Sequence, residues 1–518
     1  GYTAGEGTTA TISDNHFSNL TFYGTSLFTG ITYNLGSACT ISGNVFSNLE
    51  LGGTNATANS CIHVSISSVV SVFENVVNDI ATPFAFSAIT CASSGISASI
   101  DHNVLDSIHA GTGITGIGYI GAHANTTLHD NDIGQLTSIN GNVTALNCQV
   151  STGTTITEIY RNKISGIQSN HVSGTVSGLR IGKSAVNPGL TTVYNNYIGD
   201  LKAPISGIDN AIRGLEISST DDPGEYRIYF NTIHLSATST GVNFGVSGVF
   251  IASGGSSIKT DFKNNIITTS SAPNGTGLNV VLRGFSFTAA NYVRTSNHNL
   301  LYAGVPSSQR LICYTSPMNL DQTLASFQAR VYPADNRSIS QPPSFLSTNG
   351  TSPVFLHINP AIATPIENGG VTIDGITSDY DEVIRAGNVG YTGAGSLPDI
   401  GADEGDFAQS DIVGPKIEYS LISNTASLSN RTIDNISITD INGIQVTPGL
   451  KPKLFYKKKY QANTYNDNTN ATDGWKYVEA IGSTSPFSFT IDYALLNGGG
   501  VVAGDTVQYF IIAQDMAP

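Results

Sequence analysis

The chain has 518 residues, a formal charge of −15, 40% hydrophobic residues and only 12% charged ones. There is ample apolar material for a large core and, by length, for about two to four domains. The 23 Lys and Arg residues are too sparse for a nucleic-acid backbone or an anionic lipid surface, which need clustered cations. No apolar run approaches the ~18 residues of a spanning helix. A membrane-spanning chain and a nucleic-acid partner are therefore not expected.

From the N-terminus onward one short pattern recurs. It reads ISDNHF around Asn15, ISGNVF around Asn44, VFENVV around Asn75, IDHNVL around Asn103 and LHDNDI around Asn131. It continues as IYRNKI (Asn162), VYNNYI (Asn196), IYFNTI (Asn231) and FKNNII (Asn265), with a degraded copy, TSNHNLL, at Asn299. Successive copies lie 28 to 35 residues apart, a spacing that marks a solenoid, a propeller or an array.

Each copy is followed by a second alignable strand: GITY, CIHV, AITC, GIGY, ALNC, GLRI, GLEI and GVFI, from Gly30 to Ile251. Period-two alternation assigns the columns. The second column (Ile31, Ile62, Ile89, Ile117, Leu146, Leu179, Leu215, Val249) and the fourth (Tyr33, Val64, Cys91, Tyr119, Cys148, Ile181, Ile217, Ile251) face the core. The first holds only Gly, Ala or Cys, as expected where neighbouring backbone comes close. The third, outward column reads Thr32, His63, Thr90, Gly118, Asn147, Arg180, Glu216, Phe250.

Five cysteines (Cys39, Cys61, Cys91, Cys148, Cys313) are too scattered for a disulfide framework or a metal site. Cys91 and Cys148 share an inward column two rungs apart, roughly 10 Å at ordinary strand spacing, beyond disulfide reach. Period-two alternation and frequent Gly exclude helical repeats. A propeller would need about 40 residues and four strands per blade. One turn of a parallel β-helix matches the amount of chain in each repeat.

On these motifs residues 8–300 resemble the right-handed parallel β-helix proteins, a superfamily that includes pectate lyases, polygalacturonases, phage tailspikes and bacterial surface proteins. The resemblance implies an all-β fold, a right-handed parallel β-helix of about ten coils. It also implies a ladder of stacked asparagines at a tight corner, from Asn15 through Asn44, Asn75, Asn103, Asn131, Asn162, Asn196, Asn231 to Asn265. Asn tolerates the left-handed conformation that a corner requires.

The period fades near residue 300, giving a first domain at 1–300. Residues 301–408 read as last coils and cap, with LDQTLASFQARV after Asn319 as an amphipathic helix over the open end. The stretch D-x-D-E-x-x-R followed by P-D-I-G-A-D-E resembles the C-terminal border of secreted β-helix proteins of Bacteroidetes-type bacteria, which implies export by their type IX machinery. Within it Asp374, Asp379, Asp381 and Glu382 are hard oxygen donors at short spacing, a calcium candidate. Residues 409–518 contain six alternating strands and resemble an immunoglobulin or fibronectin-III module. The usual seventh strand is missing and the N-terminus starts inside a rung, so the chain is expected to be part of a longer protein. YKKKY, residues 456–460, reads as a solvent-facing strand edge.

Catalytic candidates are thin. Arg180 and Glu216 fall on adjacent rungs and should pair across the surface; Arg180 and Lys183 are the basic groups a lyase reading would use. Asp221 and Asp222 form an Asp-Asp pair, but the Gly-His-Gly and Arg-Ile-Lys motifs of polygalacturonases are absent and a Pro-Gly follows directly, favouring a turn. His102, His109 and His123 lack ligand spacing. The sequence therefore points first to a secreted or cell-surface structural or adhesive protein whose loops bind a glycan or another surface, without a cofactor other than calcium. The alternatives are a polysaccharide lyase or glycoside hydrolase on the same fold, and a filament or surface-layer subunit.

Overall fold

The computed structural model describes residues 8–516 except 25–26, 35, 53–58, 152–154, 184–188, 219–223, 253–257, 285–286, 288–290, 316–318, 411–413 and 441–442. The chain divides into two compact units, Gly1–Gln409 and Ser410–Pro518. Asp221 and Asp222 lie outside the described residues.

The first unit is a parallel β-solenoid of about nine turns. Each turn contributes three strands, and each strand pairs in parallel with its equivalents one turn away, so three ladders run the length of the unit. In one turn, Ile156–Tyr160 lies on the first face, Lys163–Ser169 on the second and Val176–Lys183 on the third. The third face stacks residue for residue in the columns read from the sequence: Ile31 on Ile62, Ile62 on Ile89, Ile89 on Ile117, Ile117 on Leu146, Leu146 on Leu179, Leu179 on Leu215 and Leu215 on Val249. The column continues through Leu282 to Cys313. The five cysteines are free and buried, and burial pushes the Cys39 and Cys148 thiols up to about 11 and about 12.

The small-residue column has a physical cause. A Cβ on Gly178 would stand 2.6 Å from Ile198 Cγ2 and 2.8 Å from the Gly214 carbonyl oxygen, and Gly214 and Gly248 meet the same obstruction one and two turns on.

The asparagines form one continuous hydrogen-bonded ladder. Asn162 Nδ2 donates to Asn196 Oδ1 at 2.9 Å, to the Leu128 carbonyl at 2.9 Å and to the Tyr160 carbonyl at 3.0 Å. Its own Oδ1 accepts from Asn131 Nδ2 at 2.9 Å. The pattern runs from Asn15 to Asn265 and on to Asn299. It ends on the buried Asp335, which accepts from Asn299 Nδ2 at 3.0 Å, Ser338 Oγ at 2.6 Å and Tyr292 Oη at 2.6 Å.

The left-handed residue at each corner is not the ladder asparagine, which corrects the expectation. It is the residue before it: Asp14, Gly43, Glu74, His102, Asp130, Arg161, Asn195, Phe230, Asn264 and His298 all have φ between 51° and 63°. The ladder asparagine is selected for its amide, which satisfies buried carbonyls, and a second left-handed position falls four residues later, from Asn19 and Asn48 to Asp200.

The helix Leu324–Val331 starts at a Thr323–Ser326 capping box and buries Phe327 against Phe287 and Tyr292 of the last turn. Residues 340–409 are not a further set of coils. They form a strap of turns and isolated bridges running back along the second face: Gly350 meets Ser165, Val371 bonds Asn264, and Ala402 donates to Thr232. A second apolar layer forms beneath it, with Tyr197, Phe355, Leu356 and Ala402 in one cluster and Ile266, Leu300, Ile358, Ile366 and Ile400 in another.

The second unit holds two three-stranded antiparallel sheets. One orders Lys416–Glu418, Arg431–Thr439 and Phe487–Ile491; the other orders Lys476–Glu479, Lys453–Lys458 and Val507–Ile512. The YKKKY segment starts in the central strand, where Tyr456 is paired on both sides; Lys457 and Lys458 pair only with Val507–Ile512, and Lys459 and Tyr460 lie in the turn beyond. Lys457 is buried because its Nζ finds the carbonyls of Lys459 and Gln461 at 3.1 and 2.9 Å above the Trp475 ring.

Candidate functional site

In the outward column of the third face the candidate charges are engaged with one another. Arg180 and Glu216 do share a rung pair, at 3.5 Å, but Glu216 is buried: it accepts from Ser177 Oγ at 2.6 Å and Arg213 at 3.0 Å. A carboxylate so fully engaged is a structural ion, not a base exposed to substrate. Lys183 is buried too, its ammonium donating to the carbonyls of Gly189 and Glu225 over the Tyr226 ring. His123 does not face solvent either. It is wholly buried, 3.0 Å from Tyr119 Oη.

The four calcium candidates are dispersed. Asp374 is exposed on the strap, and Glu382 pairs with Arg161 at 3.0 Å. Asp379 is buried and accepts from the N–H groups of Val383 and Glu404 at 2.8 and 3.0 Å; burial pushes its carboxyl up to about 7 despite the nearby Arg385. Asp381 is turned to His357 Nε2, 2.8 Å away. The separation arises because Asp379 belongs to an interlocking clasp made by the two strap motifs. Arg385, fully buried over the Phe230 ring, binds Glu404 at 3.1 Å, Asn195 Oδ1 at 2.8 Å and the Gly401 carbonyl at 2.9 Å. Glu404 in turn accepts from the N–H groups of Ala386 and Asp399. The motif that marks the border in the sequence is thus the device that fastens the strap to the corners.

The fastening creates a groove. On the first face three outward columns run side by side: Ile156, Leu190, Glu225, Lys259; then Glu158, Thr192, Arg227, Asp261; then Tyr160, Tyr194, Tyr229, Lys263. Strap residues 371–376 form one wall and residues 293–298 close one end, enclosing about 830 Å³. The inward partners Ile159, Val193, Ile228 and Phe262 are buried and hold these strands on the core.

The floor's chemistry is hydrogen bonding. Arg227 pairs with Glu225 at 2.7 Å, and Lys263 with Asp261 at 2.9 Å, so the two cations that line the groove are neutralised; Lys259, at the end of its column, lies outside the lining. Among the described residues Glu158 and Asp374 have no such partner, which leaves the groove negative. The Tyr160 ring stacks on His129 at 4.6 Å and on Tyr194 at 4.8 Å. The Tyr160 ring is thus stacked on two partners. Beyond Tyr160, His129 Nδ1 and Arg161 hold Asp130 at 2.6 and 2.7 Å; although burial acts to raise it, these contacts keep its carboxyl down at about 2.

Among the described residues two groups of donors lie close enough together to share a cation: Asp101, His102 and His129 at the corner, and His357, Asp381 and Asp403 where the strap meets Tyr197. Sequence reading reached Asp381 and missed the other two, because His357 and Asp403 stand 24 and 22 residues from it. The three groove columns were missed for a related reason: those of Ile156 and Glu158 keep no common residue type from turn to turn, and Tyr160, Tyr194 and Tyr229 of the third read as part of the asparagine motif.

Compared with known proteins, the chain matches no family model, no curated protein and no solved structure.

Proposed function

We propose that this is an exported, surface-located β-helix protein of the pectate-lyase-like superfamily, of Bacteroidetes type, that holds an extended neutral or amino-bearing glycan in its first-face groove. The second unit serves as an immunoglobulin-type spacer. The observation that carries the reading is the groove floor itself. Strands about 4.8 Å apart set Tyr160, Tyr194 and Tyr229, and beside them Glu158, Thr192, Arg227 and Asp261, one polar group per rung at nearly the length of one pyranose residue, which suits an extended polyhydroxyl ligand better than a compact one. The unpaired Glu158 and Asp374 disfavour a polyuronate, since like charges would be buried together. Low charge content and the strap's border motif support the surface location.

The test is affinity electrophoresis of the full chain through gels containing neutral, amino-bearing or uronic polysaccharides. Retardation is expected in the first two and not in the third. Tyr194→Ala is expected to weaken binding about tenfold, the scale of a truncated central contact. Retardation by polyuronates alone would reverse the assignment.

A second reading rests on the two unpaired carboxylates, which are the residue types of glycoside hydrolysis. Release of reducing ends, lost in both Glu158→Gln and Asp374→Asn, would establish an enzyme.

A further inference from the structure

We propose that His357, Asp381 and Asp403 form a binding site for one divalent transition metal of the zinc class, at the seam between the strap and the second face of the solenoid.

The ligand atoms of the three side chains lie within 4.8 Å of one another. His357 Nδ1 is 3.2 Å from the Phe355 carbonyl oxygen, which fixes that nitrogen as the N–H and leaves Nε2 as the donor atom facing Asp381. A ring nitrogen fixed by a backbone carbonyl is the usual support of a metal-bound imidazole. Asp403 is buried and uses one oxygen, Oδ2, to accept from the Ile358 N–H at 2.7 Å; no hydrogen bond claims its Oδ1 among the described residues.

A second observation is independent of the acidic cluster. Tyr197, 1% exposed, packs its ring 5.1 Å from His357 and 4.4 Å from Tyr380, and its hydroxyl has no hydrogen-bond partner among the described residues. The carboxylates acting most strongly on that hydroxyl are Asp403 and Asp381. An orphaned buried hydroxyl is costly, and a metal-bound water or the ion itself would satisfy it.

One imidazole and two carboxylates suit zinc or manganese better than calcium or magnesium, which favour all-oxygen shells. Three protein ligands leave a fourth position on the Tyr197 side. Such an ion would tie residue 357 to residues 381 and 403 and so hold the strap closed beside the groove.

The experiment is isothermal titration of the chelator-treated full chain with zinc, manganese and calcium chlorides, followed by thermal unfolding of each sample. One equivalent of zinc or manganese is expected to bind and to raise the midpoint. Asp381→Asn, at an exposed position, should fold as the parent does and bind at least about tenfold more weakly. His102→Gln, in the other donor group, should bind as the parent does. Absence of saturable binding, affinity unchanged in Asp381→Asn, or a preference for calcium would each overturn the proposal.

Discussion

The turns before Asn162 and those after it share one ladder and one core, yet their second faces differ. In Val45–Leu51 buried and outward residues alternate; in Ile266–Thr269 all four are buried. The outward column that opens the second face shows where the change occurs. It reads His16, Val45, Val76, Val104, Asp132 and Lys163, then Tyr197, Thr232, Ile266 and Leu300. Up to Lys163 none of these side chains is buried, and from Tyr197 all are. The repeat thus specifies the solenoid, while departures from it on the outside specify what lies over the solenoid. The same strap that buries the late second face walls the groove on the first.

The contrast between early and late turns is most open to attack at the clasp. Arg385→Met would leave Glu404 buried without its cation, a loss of roughly 3–5 kcal/mol. Hydrogen exchange should then speed up in Ile266–Thr269 and stay unchanged in Val45–Leu51; equal loss in both would show that the two halves are one cooperative block. Asn162→Leu, at the boundary, strands the amide of Asn131 and the carbonyl of Leu128. It should cost roughly 2–4 kcal/mol, whereas the exposed Asn15 should be replaceable at less than about 1 kcal/mol. An unchanged melting temperature for Asn162→Leu would remove the ladder's structural role.

On the third face, Gly178→Ala should cost about 1–3 kcal/mol through overpacking. Gly118, whose added Cβ would meet nothing closer than 3.3 Å, should accept Ala within about 0.5 kcal/mol. Denaturant midpoints of the two variants test the difference between inward and outward glycines.

Acid separates the two regions by sign. Burial, with Glu404 adding to it for Asp399, raises the carboxyls of Asp399 and Glu367 in the strap. Their contribution is therefore fullest below the unfolded value near 4 and fades as pH rises through the folded values. Asp130 is held at about 2, so its contribution is present above pH 4 and is lost as pH falls from there toward 2. Lowering the pH from 7 to 5 should raise the protection factors of amides in the strap, whereas the corner at Asp130 keeps its carboxylate over that range. Below pH 4 that corner should loosen, an effect on the order of 1 kcal/mol.

Much of the fold was legible because one period repeats its physics at every turn. Ile89, Ile117 and Leu146 could be aligned one by one, and Cys148 placed inward, from alternation alone. The corner was read one residue off: Arg161 and Asn162 sit side by side, and a sequence does not say which takes the strained φ and which supplies the amide. The strap was mistaken for further coils because turns joined by side-chain bonds, such as Arg385 to Asn195 across 190 residues, leave no local pattern. The groove went unseen for both reasons at once, since the position of Glu158 varies among turns and Asp374 arrives from the far end of the unit.

The residue that receives the last asparagine has a consequence for how such a molecule can change length. Every internal amide gives a proton one way and takes one from the other, so a duplicated turn inserted between any two asparagines would find both a giver and a taker. Asp335 only takes, from Asn299, Ser338 and Tyr292 at once. A copy added beyond it would receive nothing. The series therefore has a direction and a terminus, and a single carboxylate marks where repetition stops.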